Sequence, residues 1–280
     1  MLGIGRGSRE GVISLDASIK NCGRTKQWSV ALRLLSEGLR LGVQLFSGHY
    51  MATASACRKG GQWQRALSVL SDMWKAKLEP DVISYNAGIS ACEKGEQWQA
   101  ALALLSEMRE TKLEPNVISY SAGMSACEKG EQWQRALALL SEMREAKLEP
   151  NVISYSAGVS ACEKGEQWQW ALALLSEMWQ ARLEPNVISY NAGISACEKG
   201  EQWQRALALL SEMREAKLEP DVISYNAGIS ACEKGRAVAA GTCAAERDAG
   251  GEAGAQRHQP QRWDQRVREG ASSGSGRLRC

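Results

Sequence analysis

The chain has 280 residues, 44% of them apolar, and its 34 Lys/Arg against 32 Asp/Glu leave a net charge of +2. No apolar run approaches the length that crosses a bilayer. The nine cysteines form no C-x-x-C and have no histidine nearby, which excludes a zinc cluster of ordinary spacing.

Charge is unevenly placed. Residues 1–46 carry seven Lys/Arg against three acids, whereas residues 82–235 carry fourteen against twenty-one. Non-specific attraction to phosphate is therefore expected to be weak along the second stretch.

In chain order, residues 1–11 form an N-terminal extension, too short to be read as a transit or signal peptide. From Val12 a 35-residue unit recurs. Val12 to Phe46 is a worn copy that keeps SIKNC and QWSVALRLLSE, and Ser47 to Asp81 is a second, less worn one. Four near-identical units fill residues 82–221: Val82 to Asn116, Val117 to Asn151, Val152 to Asn186 and Val187 to Asp221. A seventh starts at Val222 and breaks off at Gly235. Each unit cannot bury its apolar face alone, so copies at this period are expected to stack into one solenoid.

Within the unit Val187 to Asp221, small and apolar residues run to Lys199, and Gly200 is expected to supply a left-handed helix stop. Trp203, Ala206, Leu207, Leu210 and Met213 then fall at helical spacing, and Pro220 forbids continuation. The prediction is an antiparallel helical hairpin, with Ala192, Gly193 and Ala196 keeping the first helix thin. Seven cysteines recur at one place in the unit (22, 57, 92, 127, 162, 197 and 232) and read as buried small thiols. Trp28, Trp63, Trp98, Trp133, Trp168 and Trp203 suit base stacking in principle, but their place on the apolar stripe favours packing. Trp74, Trp170 and Trp179 stand at otherwise charged positions and read as exposed.

The tail 236–280 is rich in Ala, Gly and Arg and is expected to be disordered. It reads as the same repeat out of frame. One extra guanine in the glycine codon of EKGEQWQRA converts it to EKGRAVAAG, which is Glu233 to Gly241; the shifted frame of YNAGISACEKG gives QRWDQRVREG, which is Gln261 to Gly270. A second insertion gives Ala271 to Cys280. Arginines produced by a frame are not evidence of a basic arm.

A 35-residue helical hairpin with Tyr-Asn near its start, Ala-Leu opening the second helix core and a terminal Pro-Asp or Pro-Asn resembles the pentatricopeptide repeat over residues 12–235. The resemblance implies an all-α, right-handed α-solenoid that binds single-stranded RNA, one base per repeat. By that likeness the fifth and last residues of each unit read the base edge: Asn86 with Asn116, Ser121 with Asn151, Ser156 with Asn186, and Asn191 with Asp221. The second residues pack on base faces: Ile83, Ile118, Ile153, Ile188 and Ile223. Family rules pair Asn with pyrimidines, Ser with purines, a last Asn with C or A and a last Asp with U or G, so the four good units imply a short target near Y-A-A-U. Met51 with Asp81 implies a poor reader, and Asp16 with Phe46 none. The family's usual home implies a chloroplast or mitochondrion and a role in organellar RNA processing or stability, although no import signal is visible. Gly193 and its equivalents stand where the family carries a large aliphatic residue.

Only eight of 35 columns vary among the four good units, and both reading columns are among them, a coincidence of about one in twenty by counting over the repeat. Lys94, Lys129, Lys164, Lys199 and Lys234 precede the central glycine, and two readings stand: a ladder of phosphate contacts, or cations favoured at helix C-termini. The two histidines, His49 and His258, are isolated. The H-x-E and paired C-x-x-C of a deaminase module are absent, as are a phosphate loop and a hydrolase elbow. The chain is accordingly read as non-enzymatic, with no cofactor, metal or membrane partner. The alternative to RNA is a protein-binding solenoid, or an array amplified without a selected ligand.

Overall fold

The computed structural model describes residues 17–22 and 25–248, with side chains described to residue 235. Within these bounds every regular element is a helix. Helix α1 covers residues 17–22. The second helices are α2 (Trp28–Arg40), α4 (Trp63–Lys75), α6 (Trp98–Glu110), α8 (Trp133–Glu145), α10 (Trp168–Gln180) and α12 (Trp203–Glu215). The first helices are α3 (Ser47–Lys59), α5 (Val82–Lys94), α7 (Val117–Lys129), α9 (Val152–Lys164), α11 (Val187–Lys199) and α13 (Val222–Asp248). The expected hairpins are present, and they stack into a helical-repeat solenoid.

Successive first helices pack directly on one another, whereas each second helix packs on the first helix of its own unit and on that of the next. The first helices pack backbone against backbone, whereas successive second helices meet only through long side chains, so the first-helix layer is the more closely spaced and lines the inner face of the stack. The division also explains a departure from the expected apolar stripe. Leu209 is buried beside Leu210, while Leu207 is 40% exposed. A helix held between two first helices needs leucines aimed both ways: Leu209 closes on Gly193 of its own unit and Leu210 on Gly228 of the next.

Glycine at position 193 is thus demanded by its neighbours. A Cβ there would stand 2.6 Å from Leu175 Cδ1 and 3.3 Å from Leu209 Cδ1. The second helices take the room that a large aliphatic residue would fill.

Gly200 is not the left-handed residue that its position suggested. Its φ is −83°, and the left-handed residue is the next one, Glu201, at φ 56°. Gln202 N–H bonds to Cys197 O at 2.8 Å and Glu201 N–H to Glu198 O at 3.1 Å, a Schellman closure built without glycine at its left-handed position. The glycine is required by close approach instead: a Cβ on Gly200 would lie 2.2 Å from Trp168 Cδ1. The same contact joins Trp28 to Gly60, Trp63 to Gly95, Trp98 to Gly130, Trp133 to Gly165 and Trp203 to Gly235. The recurrent tryptophans are therefore inter-unit wedges, and Arg205 and Arg65 lie over Trp168 and Trp28 at 4.3 Å.

The second helices are linked at their far ends. Arg144 donates to Tyr155 Oη at 3.0 Å and pairs with Glu177 of the next second helix; Arg109 does the same with Tyr120 (3.2 Å) and Glu142. Trp179 replaces the arginine in the fifth unit, so the buried Tyr190 of the next unit lacks the arginine contact made at Tyr120 and Tyr155. Trp170 and Trp179 are exposed as expected, but Trp74 is half-buried, tilted on Tyr85 at 5.7 Å.

The last first helix does not stop at Gly235. It runs on to Asp248, so residues 236–248 are helical rather than part of a disordered tail. The Glu-Gln-Trp-Gln turn is missing there, and the alanine-rich segment favours continuation. Residues 249–280, which include His258, lie outside the described residues, as do Asp16 and the extension 1–11.

Candidate nucleic-acid interface

On a helix of 3.6 residues per turn, positions 2, 5, 9 and 13 of the unit fall along one stripe of the first helix. That stripe carries Ile188, Asn191, Ser195 and Lys199 in α11, and their equivalents in the other first helices. Ile83, Ile118, Ile153, Ile188 and Ile223 are 60–68% exposed, although isoleucine is among the residues most often fully buried. Five large apolar side chains at one position of successive inner helices make a regular apolar ladder facing solvent.

In two units the polar pair is joined beside the rung. Asn86 Nδ2 donates to Asn116 Oδ1 at 3.3 Å, and Asn191 Nδ2 to Asp221 Oδ1 at 3.1 Å. The partners are thirty residues apart, yet the return of the chain brings the end of a hairpin back beside its own first helix. From the second unit on, the last residue of each unit also caps the following first helix, a role the sequence reading missed. Asn151 Oδ1 accepts Ser154 N–H at 3.0 Å, Asn186 Oδ1 accepts Ser189 N–H at 2.9 Å and Asp221 Oδ1 accepts Ser224 N–H at 2.9 Å. Asn or Asp followed three residues later by Ser was the available signal. The Ser224 N–H, and then the Ser224 hydroxyl and the Asn191 amide, hold the Asp221 carboxyl below its ordinary value.

The serine units differ. Ser121 and Ser156 are buried, and their hydroxyls meet those of Ser154 and Ser189 at 2.8 and 2.7 Å. The short side chain recedes into the joint and leaves a deeper step between neighbouring isoleucines. In the second unit Met51 is half-buried and Asp81 caps α5. Phe46 offers no capping side chain to α3; there His49 Nδ1 accepts Phe46 N–H at 3.1 Å.

The lysines at position 13 are engaged. Lys129 pairs with Glu93 at 2.9 Å, Lys164 with Glu128 at 3.3 Å, Lys199 with Glu163 at 2.7 Å and Lys234 with Glu198 at 3.1 Å. Each pair joins adjacent units, and Lys94 meets Glu93 of its own helix at 3.6 Å. Of the two readings for these residues, neither included a glutamate partner.

The thiols are enclosed. Burial pushes Cys57, Cys92, Cys127 and Cys197 up to about 11, and Cys162 up to about 12. Among the described residues no group of three metal-ligating side chains gathers, and no helix is long and apolar enough to cross a membrane.

Compared with known families, PPR repeat family models match residues 80–129 and 185–234, a pentatricopeptide repeat domain matches residues 33–95 and 139–200, and a PPR repeat matches residues 118–148. Together the matches run unbroken from residue 33 to residue 234. No curated protein matches the chain. Among solved structures, the pentatricopeptide repeat protein PPR10 from maize is 24% identical with a TM-score of 0.56, over 76% of this chain and 31% of that one. PPR10 in complex with an 18-nt psaJ RNA element is 23% identical with a TM-score of 0.60, over 80% and 32%. Nuclear proteinaceous RNase P 2 from A. thaliana is 14% identical with a TM-score of 0.53, over 59% and 38%. At these identities the likeness is one of fold, and the chain spans about a third of the length of the PPR10 chains it matches.

Proposed function

Because this chain belongs to the pentatricopeptide repeat family, we propose that it binds single-stranded RNA along the inner isoleucine ladder, reading one base at each joint between units. The observation that carries this reading is the exposure of five isoleucines, 60–68% each, with a polar pair set beside the rungs. Apolar side chains repeated in this way suit bases parted from one another and held between rungs by apolar contact.

Capping gives the reading its chemistry. When Asn116, Asn151 or Asn186 spends its carbonyl oxygen on the next helix, its NH2 is what remains for a ligand. That donor suits a ring-nitrogen acceptor on the Watson–Crick edge, as in C or A. Asp221 spends one carboxylate oxygen on the cap and keeps an acceptor, which suits the ring N–H of U or G. The receding Ser121 and Ser156 leave room for purines, and the longer Asn86 and Asn191 suit pyrimidines. The target is then a short Y-A-A-U, bound with modest affinity. An organellar role in RNA processing or stability comes from the family alone and is part of the proposal.

The test measures binding of labelled CAAU- and UAAU-containing RNA against a scrambled strand. Preference for the ordered sites, shifted toward pyrimidines at the two central bases by Ser121→Asn with Ser156→Asn, supports the reading. Equal affinity for ordered and scrambled strands sinks it in favour of a protein-binding solenoid.

A further inference from the structure

The stack ends on a first helix, and the end is open. Tyr225, Gly228, Ile229 and Cys232 of α13, with Leu207 and Leu210 of α12, line an apolar groove of about 540 Å³. Ile229 is 59% exposed and Tyr225 41%, whereas Ile194 and Tyr190, at the same places one unit earlier, are buried. Interior grooves of this kind are filled by the unit's own second helix. A Cβ on Gly193 would meet Leu209 at 3.3 Å, on Gly158 Leu174 at 3.1 Å and on Gly123 Leu139 at 3.3 Å. At Gly228 only the preceding helix is met, through Leu210 at 2.5 Å. The groove is therefore shaped for a helix with Ala, Leu and Met at i, i+3 and i+7, the spacing of Ala206, Leu209 and Met213.

Among the described residues no such helix follows Gly235, because α13 continues straight to Asp248. Its nucleotides do. Arg247 to Gln259, thirteen residues reading RDAGGEAGAQRHQ, are what a frame shifted by one position gives from codons for SEMREAKLEPNVIS. Thirteen consecutive matches lie between the two stretches already explained by the same shift, so one displaced frame accounts for the segment. Residues 236–252 read in the original frame become EQWQRALALLSEMREAK, which is α12 and its flanks over again. We propose that the occupant of the C-terminal groove is this seventh second helix, and that the working array continues past Gly235 in the restored frame.

Two proteins test this: the full 280-residue chain, and the chain made after removing one guanine from the Gly235 codon. Amide hydrogen exchange over residues 222–235 is expected to slow at least tenfold in the frame-restored protein. The synthetic peptide EQWQRALALLSEMREAK, added to the 280-residue chain, is expected to slow the same amides. Ile229→Glu, at an exposed position, is expected to abolish both effects and leave exchange in residues 117–186 unchanged. Unchanged exchange in the frame-restored protein overturns the proposal, as does equal protection by a scrambled helical peptide. Protection that rises with the concentration of the 280-residue chain alone, with dimer seen by sedimentation, assigns the groove to a second copy and also overturns it.

Discussion

Asn191 and Asp221 share a hydrogen bond of 3.1 Å, and the Asp221 oxygen that accepts it also caps helix α13. One carboxylate thus serves the fold and faces the inner groove. Asp221→Asn keeps the cap, because Asn and Asp cap about equally well, and exchanges the free acceptor for a donor. The expected outcome is a melting temperature within a degree or two of the parent and a preference moved from U toward C or A at the last base. Asp221→Ala should instead lower stability by about 1 kcal/mol. Competition binding with UAAU and UAAC strands, alongside thermal melts, separates these outcomes.

Because the inner lysines are already paired with glutamates, RNA binding should depend weakly on salt. A slope of log Kd against log salt corresponding to no more than about two phosphates is expected, against one per contact for a free basic ladder. The triple variant Glu93→Gln, Glu128→Gln, Glu163→Gln frees Lys129, Lys164 and Lys199. It should bind tighter at low salt and steepen the slope; an unchanged slope would show that these lysines do not face the phosphates.

The thiol column makes the fold alkali-sensitive. A group whose folded-state pKa is raised holds its proton longer in the fold, so its contribution is complete below the unfolded value and declines as pH rises toward the folded value. Cys57, Cys92, Cys127 and Cys197 rise from 9.0 to about 11 and Cys162 from 9.0 to about 12, so stability should hold to about pH 9 and then fall toward pH 11. Melting temperature against pH, repeated with Cys127→Ala and Cys162→Ala, checks the source: the decline should be shallower in the double variant. Iodoacetamide at pH 8 should leave these thiols unlabelled until denaturant is added.

Adjacent residues in the turn between helices should respond oppositely to substitution. Gly165→Ala forces a Cβ to within 2.2 Å of Trp133 Cδ1 and should cost about 1–3 kcal/mol. Glu166 has φ 58°, and Glu166→Gly should relieve the left-handed backbone and stabilise by about 0.5 kcal/mol. The second unit already carries glycine there, Gly61 at φ 73°. Urea unfolding of both variants decides; a stabilising Gly165→Ala would contradict the wedge role of Trp133.

The helix limits were legible in the sequence because period and punctuation were repeated. The first helix Val187–Lys199 falls where the composition changes, and Trp203 opens the second. Hidden from it was everything decided by two units at once. Gly200 looked like a turn residue because its neighbour in space, Trp168, lies 32 positions away. Leu209 looked surplus to the apolar stripe because one amphipathic face was assumed where two are buried. The lysine–glutamate pairs were hidden because, Lys94 apart, each glutamate belongs to the preceding unit. The isoleucines were singled out by likeness; their exposure is a structural fact that a hydrophobic pattern alone would have reversed.

Under the proposed reading, because Asp221 and its counterparts cap the next unit's first helix, the reading position is a property of the seam between hairpins. Counting letters therefore means counting seams, and a duplicated unit carries its own polar pair, such as Asn191 with Asp221, but takes the second isoleucine, such as Ile223, from its successor. The half-unit Val222 to Gly235 completes the seam at Asp221. Cutting the chain before Val222 would erase the last letter while leaving every residue of the sixth unit in place.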